Sequence, residues 1–317
     1  MHHRTVNIVC FGGGTGLPSL LSGLVENPWF DITAVVGMFD NGGSSGDLRD
    51  RFGILPPGDI LKCLLAQSKY RQAAREMLLK RLQHETHPGH TGGNALLMGL
   101  QTVYGNYPDA VDALGQLLSI RGKVVPVTLS QSTLCARYAN GITNRGETSV
   151  DEGVFQGWRV EDLFLDPVVA ASDGALLAID KADVFVVGPG SFYTSVLPNF
   201  LPTGVRERII ASHAPIIFNC NLLTEGVRDE TVGSTVAVLE RMVGRKLAFV
   251  TKNVARPDEE VLQKYARERK YPLVRSDEDT SDPRIVCADL WLDGSIARHD
   301  SARLSHLVSA LIERLRV

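Results

Sequence analysis

The 317-residue chain lacks the features of several protein classes. It has no apolar run close to the roughly 20 residues that span a bilayer, and no apolar signal-peptide segment follows its N-terminus. Its net charge of −3 gives no excess of basic residues, which nucleic-acid-binding proteins usually show. Five widely spaced cysteines form no C-x-x-C pair, so neither a disulfide framework nor a thiolate zinc site is expected. These absences predict a cytoplasmic protein that binds neither membranes nor nucleic acid.

Short apolar runs alternate with helical stretches along most of the chain. Continuous apolar runs such as Val184–Val187 predict strands buried on both faces, as in a parallel sheet covered by helices. The predicted strands are Val6–Phe11, Ile32–Met38, Lys123–Leu129, Val184–Val187, Pro215–Asn219, Leu247–Thr251 and Ile285–Leu290. The predicted helices are Leu17–Val25, Asp59–Ser68, Arg71–Gln83, Asn94–Tyr104, Asp109–Ser119, Val205–Ser212, Glu230–Val243, Asp258–Lys270 and Ser301–Arg316. We therefore predict an α/β fold with a mostly parallel sheet flanked by helices.

Residues 133–169 depart from this alternation. The stretch is rich in glycine and in short apolar segments, which is typical of short antiparallel strands or a small subdomain. No repeat, low-complexity tract or long linker interrupts the rest of the chain. The sequence thus predicts a single domain over residues 1–317, with a small inserted antiparallel subdomain around 133–169.

The first predicted strand ends in a glycine-rich turn. Gly12, Gly13, Gly14, Thr15 and Gly16 stand between that strand and a predicted helix. Because glycine has no Cβ, such a turn lets the backbone approach a ligand closely, and the helix N-terminus adds unpaired N–H groups. The arrangement predicts a phosphate site, although a tight turn without a ligand would have the same sequence. It is not a nucleoside triphosphatase P-loop, since no Gly-Lys-Ser/Thr follows.

Four polar, glycine-rich loops follow predicted strands. They are residues 12–16, 39–46, 188–195 and 219–226. Ligands of open α/β sheets bind outside the carboxyl ends of the strands. The four loops are therefore expected to form one pocket.

Two carboxylates near these loops are candidate metal ligands. Asp40 lies in the loop directly after the second predicted strand, and Asp59 stands at a predicted helix start. Asp59 would serve equally well as a helix N-cap. Alternatively, both carboxylates point into the phosphate pocket and hold Mg²⁺, which binds one or two carboxylates together with substrate phosphates. Asn94, which opens a later helix after two glycines, is a further candidate polar contact.

The three histidines of residues 84–90 have a spacing that suggests a metal cluster. Pro88 and Gly89 interrupt any regular helical ligand face, so we favour a loop without metal. No Ser-His-Asp or Cys-His arrangement suits the pocket, and no catalytic residue is assigned.

Several motifs in this order resemble a known family. They are G12-G-G-T-G-L17, D40-N-G-G-S-S-G46, L55-P-P-G-D-I60, G93-N94 and G188-P-G-S-F-Y-T-S-V-L-P-N199. The chain resembles the bacterial gluconeogenesis-factor family, UDP-sugar-binding proteins linked to central carbon metabolism and cell-shape maintenance. The wider superfamily includes 2-phospho-L-lactate transferase. The resemblance implies a Rossmann-like domain.

The resemblance also implies a set of ligand-binding residues. Segments around residues 264–266 and 297–300 are similar to those that supply a tyrosine and an arginine to the UDP-sugar site, here Tyr265 and Arg298. Without the resemblance, they would be a half-buried helix aromatic and a surface arginine. Two departures are Asn41, where aspartate is usual, and a longer loop over 221–231. The implied ligand-binding residues are Gly12, Gly13, Gly14, Thr15, Gly16, Asn41, Gly42, Gly43, Ser44, Ser45, Asn94, Gly188, Gly190, Ser191, Thr194, Asn219, Tyr265 and Arg298, with Asp40 and Asp59 as metal ligands.

Two functions follow from the resemblance. In the first, the protein binds a UDP-sugar such as UDP-N-acetylglucosamine and signals through a protein partner without chemistry, with a homodimer as a candidate assembly. In the second, it is an Mg²⁺-dependent transferase that acts on a diphosphate-bridged nucleotide donor. The lack of an evident general base favours the first only weakly, since phosphoryl transfer depends mostly on positioning and charge stabilisation.

Overall fold

The computed structural model describes residues 5–42, 55–81, 91–226, 230–273, 281–294 and 296–315. Its centre is a parallel sheet of seven strands: β1 (Val6–Gly12), β2 (Phe30–Val36), β3 (Lys123–Pro126), β7 (Val184–Val187), β8 (Ile216–Asn219), β9 (Phe249–Asn253) and β10 (Ile285–Ala288). Their order across the sheet is β10-β9-β8-β7-β1-β2-β3. The predicted α/β class and parallel sheet are confirmed, with strand ends shifted by up to three residues.

Eleven helices are described around the strands. They are α1 (Gly16–Leu24), α2 (Gly58–Gln67), α3 (Arg71–Leu78), α4 (Gly92–Tyr104), α5 (Tyr107–Leu117), α6 (Glu147–Phe155), α7 (Asp173–Lys181), α8 (Val205–Ala211), α9 (Val232–Val243), α10 (Glu259–Arg267) and α11 (Ser301–Leu315). Two of them, α6 and α7, were not predicted. None of the described helices is both long enough and apolar enough to cross a membrane.

The sheet is covered on both faces because its strands are apolar on both sides. In β1, Ile8 and Cys10 join a buried cluster with apolar side chains of α1, α2, α5 and α11. Val9 and Phe11 point the other way and join a second cluster with α7, α8 and α9. The alternation of adjacent side chains between two faces thus gives one core on each side of the sheet.

The predicted inserted antiparallel segment is confirmed. Strands β4 (Thr133–Tyr138), β5 (Thr143–Arg145) and β6 (Val160–Asp166) form a small sheet in the order β5-β4-β6. Helix α6 lies between β5 and β6 in the chain, and the Tyr138 hydroxyl donates to the Val150 carbonyl of that helix at 2.9 Å. This bond helps to fix α6 against β4.

The strand order places a crevice at β1. Strand β1 pairs with β2 on one side and with β7 on the other, in parallel register. The chain runs outward from β1 through β2 and β3, then returns to β7 and runs outward again. Such a reversal of strand order forms the crevice in which α/β proteins bind ligands. The loops after β1 and β7, residues 12–16 and 188–195, therefore meet at this point.

Candidate functional site

The loops after β1 and β7 contact each other directly. A Cβ added at Gly16 would overlap the main chain of Pro189, and one added at Gly190 would lie 3.2 Å from the Gly13 carbonyl oxygen. Only glycine fits such close backbone contacts. The glycines of the two loops are therefore required by their mutual packing, whatever ligand the turn takes.

The glycine-rich turn is closed on one side by a carboxylate. Gly14 has a left-handed backbone with φ of +63°, and its N–H donates to Asp59 Oδ2 at 2.6 Å. Asp59 lies in the first turn of α2 but does not cap it: the N-cap position is Pro57, which has no side-chain bond. The carboxylate instead reaches the turn, where an anion would be expected.

Lys62 supports Asp59 from the next turn of α2. Its Nζ lies 2.8 Å from Asp59 Oδ1, so each Asp59 oxygen has a partner. Burial lowers the pKa of Lys62, but the charges of Asp59 and Asp40 outweigh this effect and raise the pKa above its usual value. Lys62 therefore stays charged beside the turn.

Two carboxylates that sequence reasoning missed extend this acidic region. Glu147 and Asp151 lie four residues apart on α6, hence on one helix face. Burial, then the charge and hydrogen bond of Asp40, raise the pKa of Glu147 to about 9. Burial likewise raises the pKa of Asp151, against hydrogen bonds from Thr194 and Ser191. Glu147 therefore keeps its proton to a much higher pH than an exposed glutamate does.

The donor chemistry of these carboxylates suits a hard divalent cation. A cation would relieve the mutual repulsion that favours protonation of Glu147 beside Asp40 and Asp59. Within the described ranges, however, no set of three or more His, Cys, Asp or Glu side chains is arranged to hold a metal ion. Bound Mg²⁺ would therefore need further oxygen ligands from phosphate or water. The assignment of Asp40 and Asp59 as its ligands stays a prediction.

Asp151 also holds the loop after β7. Thr194 Oγ1 donates to Asp151 Oδ1 at 2.9 Å, and Ser191 Oγ lies 3.5 Å from the same oxygen. Asn41 Oδ1 in turn accepts from the N–H of Thr148 at 3.1 Å, within the first turn of α6. The second and third glycine-rich loops are thus both tied to α6.

Glu225, from the longer fourth loop, binds the other side of the loop after β7. The Phe192 N–H donates to both Glu225 oxygens at 3.0 Å. Asn221 donates to Glu225 Oε1 at 3.2 Å and exchanges two further bonds with the main chain of Gly190. Burial raises the pKa of Glu225 to about 8, and the charges of Asp151 and Glu230 add to the shift. The 221–225 segment is therefore a clamp on the Gly190–Phe192 backbone.

Asn219 lies beneath the loops. It is fully buried, and its amide nitrogen donates to the carbonyls of Val187 and Gly188 at 3.3 and 3.2 Å. Its Oδ1 accepts from the Thr251 hydroxyl at 2.9 Å. These bonds join the carboxyl ends of β7, β8 and β9, so Asn219 supports the site from below.

A cavity of about 300 Å³ opens where the loops meet. Its walls combine the turn after β1, the loop after β7, the 221–225 clamp and the C-terminal part of the chain. The side chains with chemistry that line it include Thr15, Ser19, Asp151, Ser191, Asn221, Glu225, Tyr265, Lys270, Arg298 and His299. Two cations, Lys270 and Arg298, therefore stand at a cavity bordered by a glycine-rich helix N-terminus.

A second cavity of about 400 Å³ adjoins the first. Thr15, Ser19, Arg298 and His299 line both cavities. Lys62 lines the second cavity together with Arg71 and Arg75. The two cavities form one cationic cleft, with Arg298 and His299 at their common border.

Tyr265 is half-buried on α10 and lines the first cavity. Its ring packs with Leu222, Leu223 and Trp291. Its hydroxyl accepts the Ala297 N–H at 2.8 Å, one residue before Arg298. Tyr265 and Arg298 thus belong to one wall, and the hydroxyl of Tyr265 anchors the segment that carries Arg298; their role in UDP-sugar binding stays a prediction.

Apart from Asn94, the predicted site residues fall into three groups. Those that line the cavity are Thr15, Gly16, Gly190, Ser191, Tyr265 and Arg298. Those that lie in or behind the surrounding loops are Gly12, Gly13, Gly14, Asp40, Asn41, Gly42, Asp59, Gly188, Thr194 and Asn219. Asn94, in the first turn of α4, lines neither of the two cavities. Gly43, Ser44 and Ser45 and the histidine loop of residues 84–90 lie outside the described residues. Asn94 is 4% exposed, and its N–H donates to the N-cap hydroxyl of Thr91 at 3.2 Å.

Comparisons with known proteins identify the family. The family described as 2-phospho-L-lactate transferase CofD matches residues 8–291. A Thermotoga maritima relative is 34% identical and covers 96% of this chain and 99% of its own. A Halalkalibacterium halodurans protein named gluconeogenesis factor is 33% identical over 95% of both chains.

A solved structure agrees with this relationship. The crystal structure of a Bacillus halodurans protein superposes with a TM-score of 0.89 and 32% identity, and covers 98% of this chain and all of its own. Sequence and fold thus match over nearly the whole chain. The chain therefore belongs to the gluconeogenesis factor family, within the CofD family.

Proposed function

We propose that this protein binds a UDP-sugar, with UDP-N-acetylglucosamine as the first candidate, in the cleft at the carboxyl ends of β1 and β7. The observation that carries the proposal is the convergence of the glycine-rich helix N-terminus with Lys270 and Arg298 on one cavity. Backbone N–H groups and fixed cations are the features that bind a diphosphate. The adjoining cavity gives room for the base or the sugar on either side of Arg298.

The proposed role of binding is regulatory. A ligand shifts a conformational equilibrium only if it binds the two states with different affinity. The cleft is built from the loops after β1 and β7, the 221–225 clamp and the C-terminal segment, so a ligand that contacts all of them would favour one arrangement. We propose that a protein partner binds the ligand-bound conformation selectively. This partner would link the sugar nucleotide to central carbon metabolism and cell shape.

The second candidate function is Mg²⁺-dependent transfer from a diphosphate-bridged nucleotide. The observation that favours it is the carboxylate of Asp59 against the Gly14 N–H, with Asp40 and Glu147 nearby. When Mg²⁺ is bound, it would neutralise phosphate charge at the turn. Asp40 and Asp59 would hold the cation, while the turn and Arg298 orient the diphosphate.

Arg298→Ala tests the binding proposal. We expect the variant to lose at least about tenfold in affinity for UDP-N-acetylglucosamine, because a charge-assisted hydrogen bond contributes about 1.5–3 kcal/mol. Arg137→Ala is the matched control, because Arg137 is an exposed arginine on β4 that pairs with Asp162 away from the cleft. Calorimetric titration with equal affinities for all three proteins would contradict the proposal.

A further inference from the structure

His299 carries a buried ring nitrogen that no described residue satisfies. Only 7% of its surface is exposed, and its Nε2 has no hydrogen-bond partner among the described residues. Trp291 lies opposite His299 across an antiparallel bridge, and its indole N–H is likewise unpaired within the described ranges. The two groups therefore do not satisfy each other. A buried polar atom without a partner costs free energy, which a ligand can recover on binding.

The other ring nitrogen shows which form the imidazole takes. It hydrogen bonds the main chain of Cys220, whose amide already donates to the Thr251 carbonyl at 3.1 Å. Nδ1–H of His299 must therefore donate to the Cys220 carbonyl. Burial lowers the pKa of His299 to about 4, so the ring is neutral at pH 7. Its Nε2 then presents a lone pair and no proton.

The position of this lone pair restricts its partner. His299 lines both cavities and borders the cleft together with Thr15 and Arg298. Phosphate oxygens are acceptors, which a neutral Nε2 repels, so the diphosphate belongs to the turn and the cations. A group that satisfies Nε2 must carry an O–H or N–H, and hydroxyls are the commonest such groups of a nucleotide sugar.

We propose that His299 Nε2 accepts a hydrogen bond from a hydroxyl group of the bound ligand and thereby selects sugar-containing ligands over bare diphosphate. The assignment rests on the proposed UDP-sugar binding and names a specificity-determining residue of that site. Because Nε2 is covered by neighbouring atoms, the hydroxyl reaches it only when one of those neighbours moves aside on ligand binding.

Two substitutions separate the role of Nε2 as an acceptor from the bond of Nδ1–H to the Cys220 carbonyl. His299→Asn keeps an N–H donor for the Cys220 carbonyl and removes the acceptor at the Nε2 position. His299→Gln places an amide oxygen near the Nε2 position. The probes for calorimetry are UDP-N-acetylglucosamine and inorganic diphosphate. We expect His299→Asn to lower the affinity for the nucleotide sugar about tenfold or more and to change the affinity for diphosphate little. We expect His299→Gln to retain affinity for the nucleotide sugar to within about threefold.

A measurement on the unaltered protein covers the case in which a variant does not fold. The ¹⁵N resonance of His299 Nε2 should move on addition of UDP-N-acetylglucosamine and stay in place with diphosphate. A resonance that does not move at saturation would overturn the assignment. So would a folded His299→Asn variant whose affinities for the two probes fall equally. Absence of nucleotide-sugar binding to the unaltered protein would instead overturn the proposed function, and the assignment with it.

Discussion

Asp59 accepts the main-chain N–H of Gly14 at 2.6 Å, so a carboxylate occupies the part of the turn at which a phosphate would bind. Lys62 neutralises the other oxygen at 2.8 Å. A diphosphate that approaches Gly14 must therefore displace Asp59 or share a cation with it. We therefore predict that ligand binding at the turn depends on divalent cations.

Asp59→Asn should remove that dependence. The amide can still accept the Gly14 N–H, so we expect the free energy of unfolding to change by less than about 1 kcal/mol. UDP should bind more tightly than to the unaltered protein when Mg²⁺ is absent, because a negative charge has gone, and Mg²⁺ should no longer improve binding. Calorimetry with and without Mg²⁺ checks this, with Asp162→Asn on β6 as control. A preserved Mg²⁺ effect would contradict the role of Asp59.

Gly16→Ala tests the packing of the two loops. The new Cβ would overlap the main chain of Pro189, so we expect a loss of about 1–3 kcal/mol in the free energy of unfolding. Gly99→Ala is the matched control, since it lies on α4 with no atom within 4 Å of the added Cβ. This change should be neutral or stabilise by about 1 kcal/mol, because alanine favours helix. Equal unfolding curves for both variants in urea would show that the loops do not pack tightly.

Glu147→Gln should change how stability depends on pH. The folded pKa of Glu147 is raised to about 9, above the value of about 4.5 expected when unfolded. Its contribution is therefore fully present below pH 4.5 and is lost as the pH rises toward 9. The carboxylates that face Glu147 are Asp40, Asp59 and Asp151. They are present in the variant and in the unaltered protein, so the comparison isolates Glu147. We expect the variant to be the more stable protein at pH 8, by at least about 1 kcal/mol, and the difference to vanish near pH 4. Parallel stability curves for the two proteins would contradict the raised pKa of Glu147.

Much of this site was accessible from the sequence because strand ends and glycine-rich loops have local signatures. The positions of Gly16 and Ser191 at the cleft are of this kind, whereas Arg298 has no local signature and was named only through the family resemblance. Glu147 and Asp151 were missed because they lie on a nine-residue helix in a stretch read as antiparallel strands. Their spacing of four residues was the available signal.

His299 and Glu225 were missed for a different reason. A histidine beside an arginine, or a glutamate in a polar loop, shows nothing of burial in the sequence. Their functions depend on which main-chain groups they meet, the Cys220 carbonyl and the Phe192 N–H. Such long-range contacts are set by the strand order and not by local pattern.

Two substitutions of Tyr265 distinguish anchoring from stacking. Tyr265→Phe keeps the ring but removes the acceptor for the Ala297 N–H, so we expect roughly a three- to tenfold loss of UDP-sugar affinity through a less ordered Arg298 segment. Tyr265→Ala should lose more if the ring also stacks on the base. Tyr70→Phe, an exposed tyrosine beside α3, is the control and should bind as the unaltered protein does. Full affinity in Tyr265→Ala would contradict both roles.

The most direct test of UDP-sugar binding is a calorimetric titration of the unaltered protein with UDP-N-acetylglucosamine and Mg²⁺, followed by mass spectrometry of the recovered ligand. We predict saturable binding that Mg²⁺ strengthens, with the ligand recovered intact after prolonged incubation. Recovery of UMP, or of a group transferred to an acceptor alcohol, would support the transferase instead. Absence of any binding would contradict the assignment of the cleft as a UDP-sugar site.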